Sequence, residues 1–162
     1  MLILNTGGTF NKRYNPLSGE MEVPFDNLAP TKILANFTYE VEMAGLIYKD
    51  SLDMNSEDRK MIAKIISASD ETHFILIHGT DTMDLTAAFL DEVLEGKVVI
   101  LTGAMVPFEI DPLEATSNLS MALGYAQLQN EEGVYICIQG NVSSHNKLKK
   151  NKTLGKFERV QD

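Results

Sequence analysis

A single cysteine, Cys137, excludes an internal disulfide, and no cluster of cysteine and histidine offers a zinc site. His73 and His78 stand five apart on one apolar run and face opposite sides, so they cannot share a metal. Tryptophan is absent, and no apolar run approaches the roughly 18–20 residues of a membrane span. The first residues have no basic leader and only a very short apolar stretch, so no secretory signal is expected and the cytoplasm is the expected compartment. Positive charge is in deficit. With 14 Lys and Arg against 23 Asp and Glu, the net charge of −9 argues against nucleic acid or an anionic membrane as the main partner. Nucleotide and serine-hydrolase signatures are missing too: Gly7-Gly8 belongs to no G-x-G-x-x-G, and neither a P-loop nor a G-x-S-x-G elbow occurs.

What remains is an ordinary globular composition, 44% hydrophobic over 162 residues, the size of one domain spanning 1–162. Strand and helix patterns alternate. Strands are expected at Leu2 to Asn5, within Tyr39 to Tyr48, at His73 to His78, at Val98 to Leu101 and at Val134 to Ile138. Between them lie a polar loop to Pro24, a weak helix from Thr31 to Phe37, and a helix capped by Asn55 or Ser56. Further helices are expected at Thr82 to Leu94, with Leu85, Ala88, Phe89 and Val93 on one side, and at Leu113 to Gln129. The tail from Asn141 is polar and basic, with a last strand near Phe157. Strands joined through helices predict a mainly parallel sheet covered on both faces, a three-layer α/β/α domain of flavodoxin- or Rossmann-like type.

In such sheets ligands bind outside the carboxyl ends of the strands. Those ends carry Thr6-Gly7-Gly8-Thr9, Asp50-Ser51-Leu52-Asp53, His78-Gly79-Thr80-Asp81-Thr82, Thr102-Gly103-Ala104-Met105 and Gln139-Gly140-Asn141. Small residues, hydroxyls and carboxylates therefore collect at one edge. Glycines let backbone N–H groups approach a ligand, as suits a small carboxylate-bearing molecule whose oxygen becomes negative during reaction. The candidate nucleophiles are threonines, Thr9 and Thr80, and a threonine needs a base nearby. Asp81 adjoins Thr80, and the lysine-rich run Lys147 to Lys152 can return a lysine to the same edge. Thr80 and Asp81 also suit a helix N-terminus, and the catalytic role is favoured, both being compatible.

Thr6-Gly7-Gly8-Thr9 after a first strand, His78-Gly79-Thr80-Asp81-Thr82-Met83 after a third, and Leu101-Thr102-Gly103-Ala104-Met105 after a fourth together resemble the bacterial-type L-asparaginases, over the family's amino-terminal domain. The resemblance implies that domain's α/β fold and hydrolysis of L-asparagine to L-aspartate and ammonia, with no metal or organic cofactor. It further implies a homo-oligomer, a dimer or higher. By resemblance Thr9 is the nucleophile and Tyr14 belongs to a mobile lid. Thr80, Asp81 and a lysine handle protons; Lys150 is the expected lysine, with Lys147, Lys149 and Lys152 as alternative registers. If that lysine is the base, partial burial must lower its pKa against the opposing charge of Asp81. Ser51 is expected to hold the substrate's α-carboxylate and Ala104 its side-chain amide. Gly8, Gly79, Thr80 and Asp81 complete the binding set, with backbone N–H groups near Gly8 and Thr80 as oxyanion donors. Two positions depart from the family pattern: Leu52 stands where a glutamine accepts from the substrate ammonium, and Val106 where an arginine is common. Low affinity and little glutaminase activity are the expected consequences. A non-catalytic asparagine- or aspartate-binding protein, a broader amidase and an amidotransferase subunit are the competing readings.

Overall fold

The computed structural model describes residues 1–160. The chain opens with β1 (Leu2–Gly7), followed by a 3-10 turn, Thr9–Asn11. The segment expected as plain polar loop instead forms a small antiparallel hairpin of β2 (Arg13–Asn15) and β3 (Glu20–Glu22). Its strands are too short for an apolar pattern to stand out, and local hydrogen bonds help hold it: Asn15 Nδ2 donates to Glu22, and Asn15 Oδ1 accepts from the Leu17 amide. The first helix, α1 (Leu28–Leu34), starts three residues earlier than expected and takes Pro30 into its first turn. Proline is tolerated there because first-turn amides have no intrahelical acceptor.

Next come β4 (Glu42–Lys49), a 3-10 turn (Ser51–Asp53) and α2 (Ser56–Ala68). Asn55 caps α2 in a full capping box, its side chain accepting from the Glu57 and Asp58 amides while Asp58 accepts from the Asn55 amide. The order then runs β5 (His73–Ile77), α3 (Met83–Val93), β6 (Val98–Thr102), α4 (Pro112–Ala126) and β7 (Gly133–Ile138). The basic tail folds into β8 (Asn141–Ser144), β9 (Leu148–Asn151) and β10 (Lys156–Arg159).

Six strands make the main sheet, in the order β4-β1-β5-β6-β7-β8. The first five are parallel, and β8 joins antiparallel through a tight turn at Gln139 and Gly140, both with positive φ. Helices α2 and α3 cover one face, where Ile62, Ile66, Met83 and Leu90 meet Phe74 and Leu76. On the other face α1 and α4 bring Ile33, Leu119 and Leu123 against Ile75 and Ile77. The α/β three-layer reading holds, with one correction in α3. Its buried side is Met83, Thr86, Ala87 and Leu90, whereas Leu85 and Val93 are exposed. A polar interaction of Thr86, described below, draws that residue inward and rotates the helix away from its most apolar stripe. Among the described residues no helix is long and apolar enough to cross a membrane.

Strand order reverses at β1, which lies between β4 and β5. A crevice outside the carboxyl ends of adjacent strands is the expected consequence at this switch point.

Candidate active site

The turns leaving β1 and β5 meet glycine on glycine. A Cβ on Gly8, whose φ is +73°, would lie 2.5 Å from the Gly79 Cα. A Cβ on Gly79 would in turn lie 2.6 Å from the Ser51 Cβ. Three loops remote in sequence are thereby packed backbone to backbone, which no side chain larger than hydrogen would permit at these two positions.

Under the first turn Asn5 and Asn11 form a reciprocal amide pair. Asn5 Nδ2 donates to Asn11 Oδ1 at 3.1 Å, and Asn11 Nδ2 donates to Asn5 Oδ1 at 2.9 Å. Their remaining capacity braces the glycines, since Asn5 Oδ1 accepts from the Gly7 amide and Asn11 Nδ2 donates to the Gly7 carbonyl. Both asparagines are buried, so each bond lost would leave a desolvated amide group unpaired. Thr9 follows, partly exposed at the start of its 3-10 turn. Its hydroxyl has no hydrogen-bond partner among the described residues.

Thr80, Asp81 and Lys150 are brought together directly. Lys150 Nζ donates to Thr80 Oγ1 and to Asp81 Oδ1, each at 2.8 Å. The Thr80 hydroxyl in turn donates to Met105 Sδ at 3.3 Å. Lys150 thus holds the Thr80 hydroxyl and the Asp81 carboxylate in one group. The Asp81 carboxylate is engaged by Lys150, while the N-cap position of α3 falls to Thr82, which makes no side-chain cap. The Thr82 hydroxyl donates instead to the Ser51 carbonyl at 2.8 Å, and the Asp81 amide donates to Ser51 Oγ at 3.2 Å.

Strand periodicity selects Lys150 from its lysine-rich run. Leu148 and Lys150 share a face of β9; Leu148 is buried, and the Lys150 side chain is only 12% exposed, whereas Lys149 points outward. Phe157, opposite Lys150 on β10, is buried and anchors the hairpin. Its amide donates to Gln139 Oε1, tying the hairpin to the turn after β7. Gln139, expected at the ligand edge, thus works as a brace for the lysine-bearing hairpin.

The other expected residues are placed less intimately. Ala104 is buried behind Met105, whose amide donates to Glu114 Oε2. Leu52 is 68% exposed on the Ser51 turn. Tyr14 lies on the β2–β3 hairpin, 57% exposed, and its amide donates to Glu109 Oε2 at 2.8 Å. Neither Thr9 nor Tyr14 hydrogen-bonds to the Thr80–Asp81–Lys150 group. Several supporting residues went unread in the sequence: Asn5, Asn11, Lys12 and Asn118. Lys12 pairs with Asp50 at 2.6 Å, joining the chain after Thr9 to the Ser51 turn. Burial alone would raise the Asp50 pKa; Lys12 and the Leu52 and Ser51 amides more than offset this and hold it below the usual carboxylate range. Asn118 donates to the Gly103 carbonyl and accepts from the Gln139 amide, binding the ends of β6 and β7 together. The available signal was polar residues standing at core-facing positions, such as Asn5 at the end of an apolar strand. Cys137 is buried, and burial pushes its thiol up to about 12, consistent with an inert core residue.

Comparison with known proteins gives the geometry its family. L-asparaginase 1 of Escherichia coli K12 is 44% identical over 78 residues, 46% of this chain and 23% of that protein. The L-asparaginase of Thermococcus kodakarensis is 28% identical over 163 residues, 96% of this chain and 48% of that protein. The chain thus spans about half the length of that relative. The solved structure of the thermostable L-asparaginase from Thermococcus kodakarensis superposes with a TM-score of 0.83 at 23% identity, covering 98% of this chain and 50% of that one. Residues 1–159 match the family described as asparaginase, amino-terminal, and the chain belongs to that family.

Proposed function

We propose that this chain carries the reaction site of an L-asparagine amidohydrolase. The observation that carries the reading is the contact of Lys150 with both Thr80 and Asp81, made across 70 and 69 residues of sequence at the reversal point of the sheet. A solvated loop lysine would not be drawn to a hydroxyl and a carboxylate in this way.

On this reading Thr9 Oγ attacks the side-chain amide carbon of asparagine. The Thr9 hydroxyl proton passes to the Thr80–Asp81–Lys150 group and from it to the leaving nitrogen, the C–N bond breaks and ammonia departs; water then attacks the acyl-enzyme, giving aspartate and returning a proton to Thr9 Oγ. Tyr14, on its hairpin, closes over Thr9. The Thr80 amide receives the developing oxyanion, since its N–H has no acceptor among the described residues; the Gly8 amide, also expected there from the sequence, is instead committed to the Lys49 carbonyl at 2.8 Å. Ser51 receives the α-carboxylate and Asp81 the α-ammonium. The Ala104 carbonyl receives the amide nitrogen, and Gly79 provides the close approach. Leu52 cannot accept from the ammonium, so affinity is low, with KM approaching about 1 mM. Glutamine, one methylene longer, cannot satisfy Asp81 and the oxyanion donors together and is a poor substrate. No metal or organic cofactor takes part. The cytoplasmic setting and the homo-oligomer implied by the family resemblance belong to the same proposal.

The test is ammonia release from purified protein with asparagine, glutamine or no substrate, each with chelator present. Release from asparagine that Thr9→Ala abolishes and Lys150→Met lowers at least tenfold, with Lys149→Met near wild type, is the expected pattern. Asparagine binding without turnover would identify a binding protein and end the hydrolase reading.

A further inference from the structure

Beneath the turn that carries Thr80 and Asp81 lies a buried chain of polar groups that the proposed reaction does not use. Arg59 Nε donates to Thr86 Oγ1 at 3.1 Å. The Thr86 oxygen also lies 2.9 Å from His78 Nε2, and His78 Nδ1 lies 2.7 Å from the Gly79 carbonyl oxygen. His78 and Thr86 have no solvent exposure, so every bond in the chain must be satisfied internally.

Only one neutral tautomer does so. If Nε2 carried the proton, the lone pair of Nδ1 would face the Gly79 carbonyl oxygen at hydrogen-bonding distance, acceptor against acceptor. With the proton on Nδ1, the ring donates to that carbonyl, Nε2 accepts the Thr86 hydroxyl proton, and Thr86 accepts from Arg59. The doubly protonated ring is disfavoured at neutral pH. Burial pushes His78 down to about 4 although the bond to Gly79 opposes it; Arg59 lowers it further and Asp84 counteracts.

The backbone of His78 is itself held. Its amide donates to the Thr102 carbonyl at 2.8 Å, and a Cβ on Gly103 would come within 2.3 Å of the His78 carbonyl oxygen. The next peptide, Gly79–Thr80, is planar and trans, so holding its carbonyl also fixes the opposite direction of the Thr80 N–H. Asp81 has independent anchors in Lys150 and Ser51, whereas the Thr80 N–H takes its direction from the Gly79 carbonyl.

We infer that Arg59, Thr86 and His78 are positioning residues: together they fix the Gly79–Thr80 peptide and so aim the Thr80 N–H into the crevice. This rests on the proposed reading of Thr80 as an oxyanion donor, and it predicts a loss in kcat greater than any change in KM.

The experiment combines histidine ring ¹⁵N spectra, backbone amide spectra and steady-state kinetics on wild type, Thr86→Val, Thr86→Ser and Arg59→Met. Wild-type His78 should be the neutral Nδ1–H tautomer. Thr86→Val should shift the Thr80 amide resonance and lower kcat on the order of 10- to 100-fold, with KM changed less than about threefold, because one buried hydrogen bond is removed. Thr86→Ser, which keeps the hydroxyl, should restore both. Arg59→Met, at a half-buried position, should show the same direction more weakly should Thr86→Val not fold. A wild-type Nε2–H tautomer, or a Thr80 amide unmoved in both Thr86→Val and Arg59→Met, would overturn the inference. Wild type that releases no ammonia, with the tautomer and amide shift as expected, would refute the hydrolase reading and leave the relay standing.

Discussion

Acidification from pH 7 to pH 5 should destabilise this protein through His78 before its carboxylates contribute. The unfolded chain titrates this histidine near its ordinary 6.5, whereas in the fold burial pushes it to about 4. Between those values the unfolded state binds a proton that the native state does not, so stability falls as pH falls. The stabilisation is complete above 6.5 and is lost progressively toward 4. Over the interval from pH 7 to 5 the loss is about 2 kcal/mol for one fully buried group. With an m-value of about 2 kcal/mol/M, the urea midpoint should drop by about 1 M. Asp50 and Asp58 do not confuse this window. Burial acts to raise each, ion pairs and backbone hydrogen bonds hold each below its ordinary 3.8, and their stabilisation is lost only at lower pH. Two other histidines, His73 and His145, supply the control, since the double variant His73→Gln/His145→Gln should keep the slope. Urea unfolding at half-unit pH steps, followed by far-UV circular dichroism, makes the measurement. A stability that changes by less than about 0.5 kcal/mol between pH 7 and 5 would show that His78 is not held neutral against its solution tendency.

Gly79→Ala should raise KM for asparagine about tenfold or more, because its Cβ would fall 2.7 Å from Ser51 Oγ and force that side chain from its place; unchanged KM would mean that Ser51 does not hold the substrate. Leu52→Gln should lower KM on the order of tenfold with a smaller change in kcat, by restoring an acceptor for the ammonium at an exposed position; steady-state kinetics decides it, and a KM that does not fall would place residue 52 outside the ammonium site. Asn55→Ala removes the acceptor for the Glu57 and Asp58 amides and should cost about 1 kcal/mol, shifting Tm by about 2–4 °C in a thermal melt.

The main sheet was legible because its central strands are buried on both faces. An apolar run such as Phe74 to Ile77, bounded by glycine and helix caps, has few other ways to bury itself. The capping box at Asn55 was equally readable, since a cap depends on residues three apart in the chain. Short-range pattern failed at the β2–β3 hairpin, whose strands are three residues long and carry one apolar residue each, Tyr14 opposite Met21, both exposed. It failed again on α3, where Thr86 faces inward because His78, eight residues earlier and on another element, needs a hydrogen-bond donor.

The motifs Thr6-Gly7-Gly8-Thr9 and His78-Gly79-Thr80-Asp81 pointed to the loops that meet at the sheet's switch point, since small residues and hydroxyls after parallel strands are a local signal. Sequence left four lysines open between Lys147 and Lys152. Their choice depends on which face of β9 is buried, and that is decided by Leu148 and Phe157 entering a core built from α2, α3 and the central strands. Local pattern therefore determined the elements and the residue types at the sheet edge. Tertiary packing decided which of those residues touch, because a hydrogen bond spanning 70 residues exists only after every intervening element has taken its place.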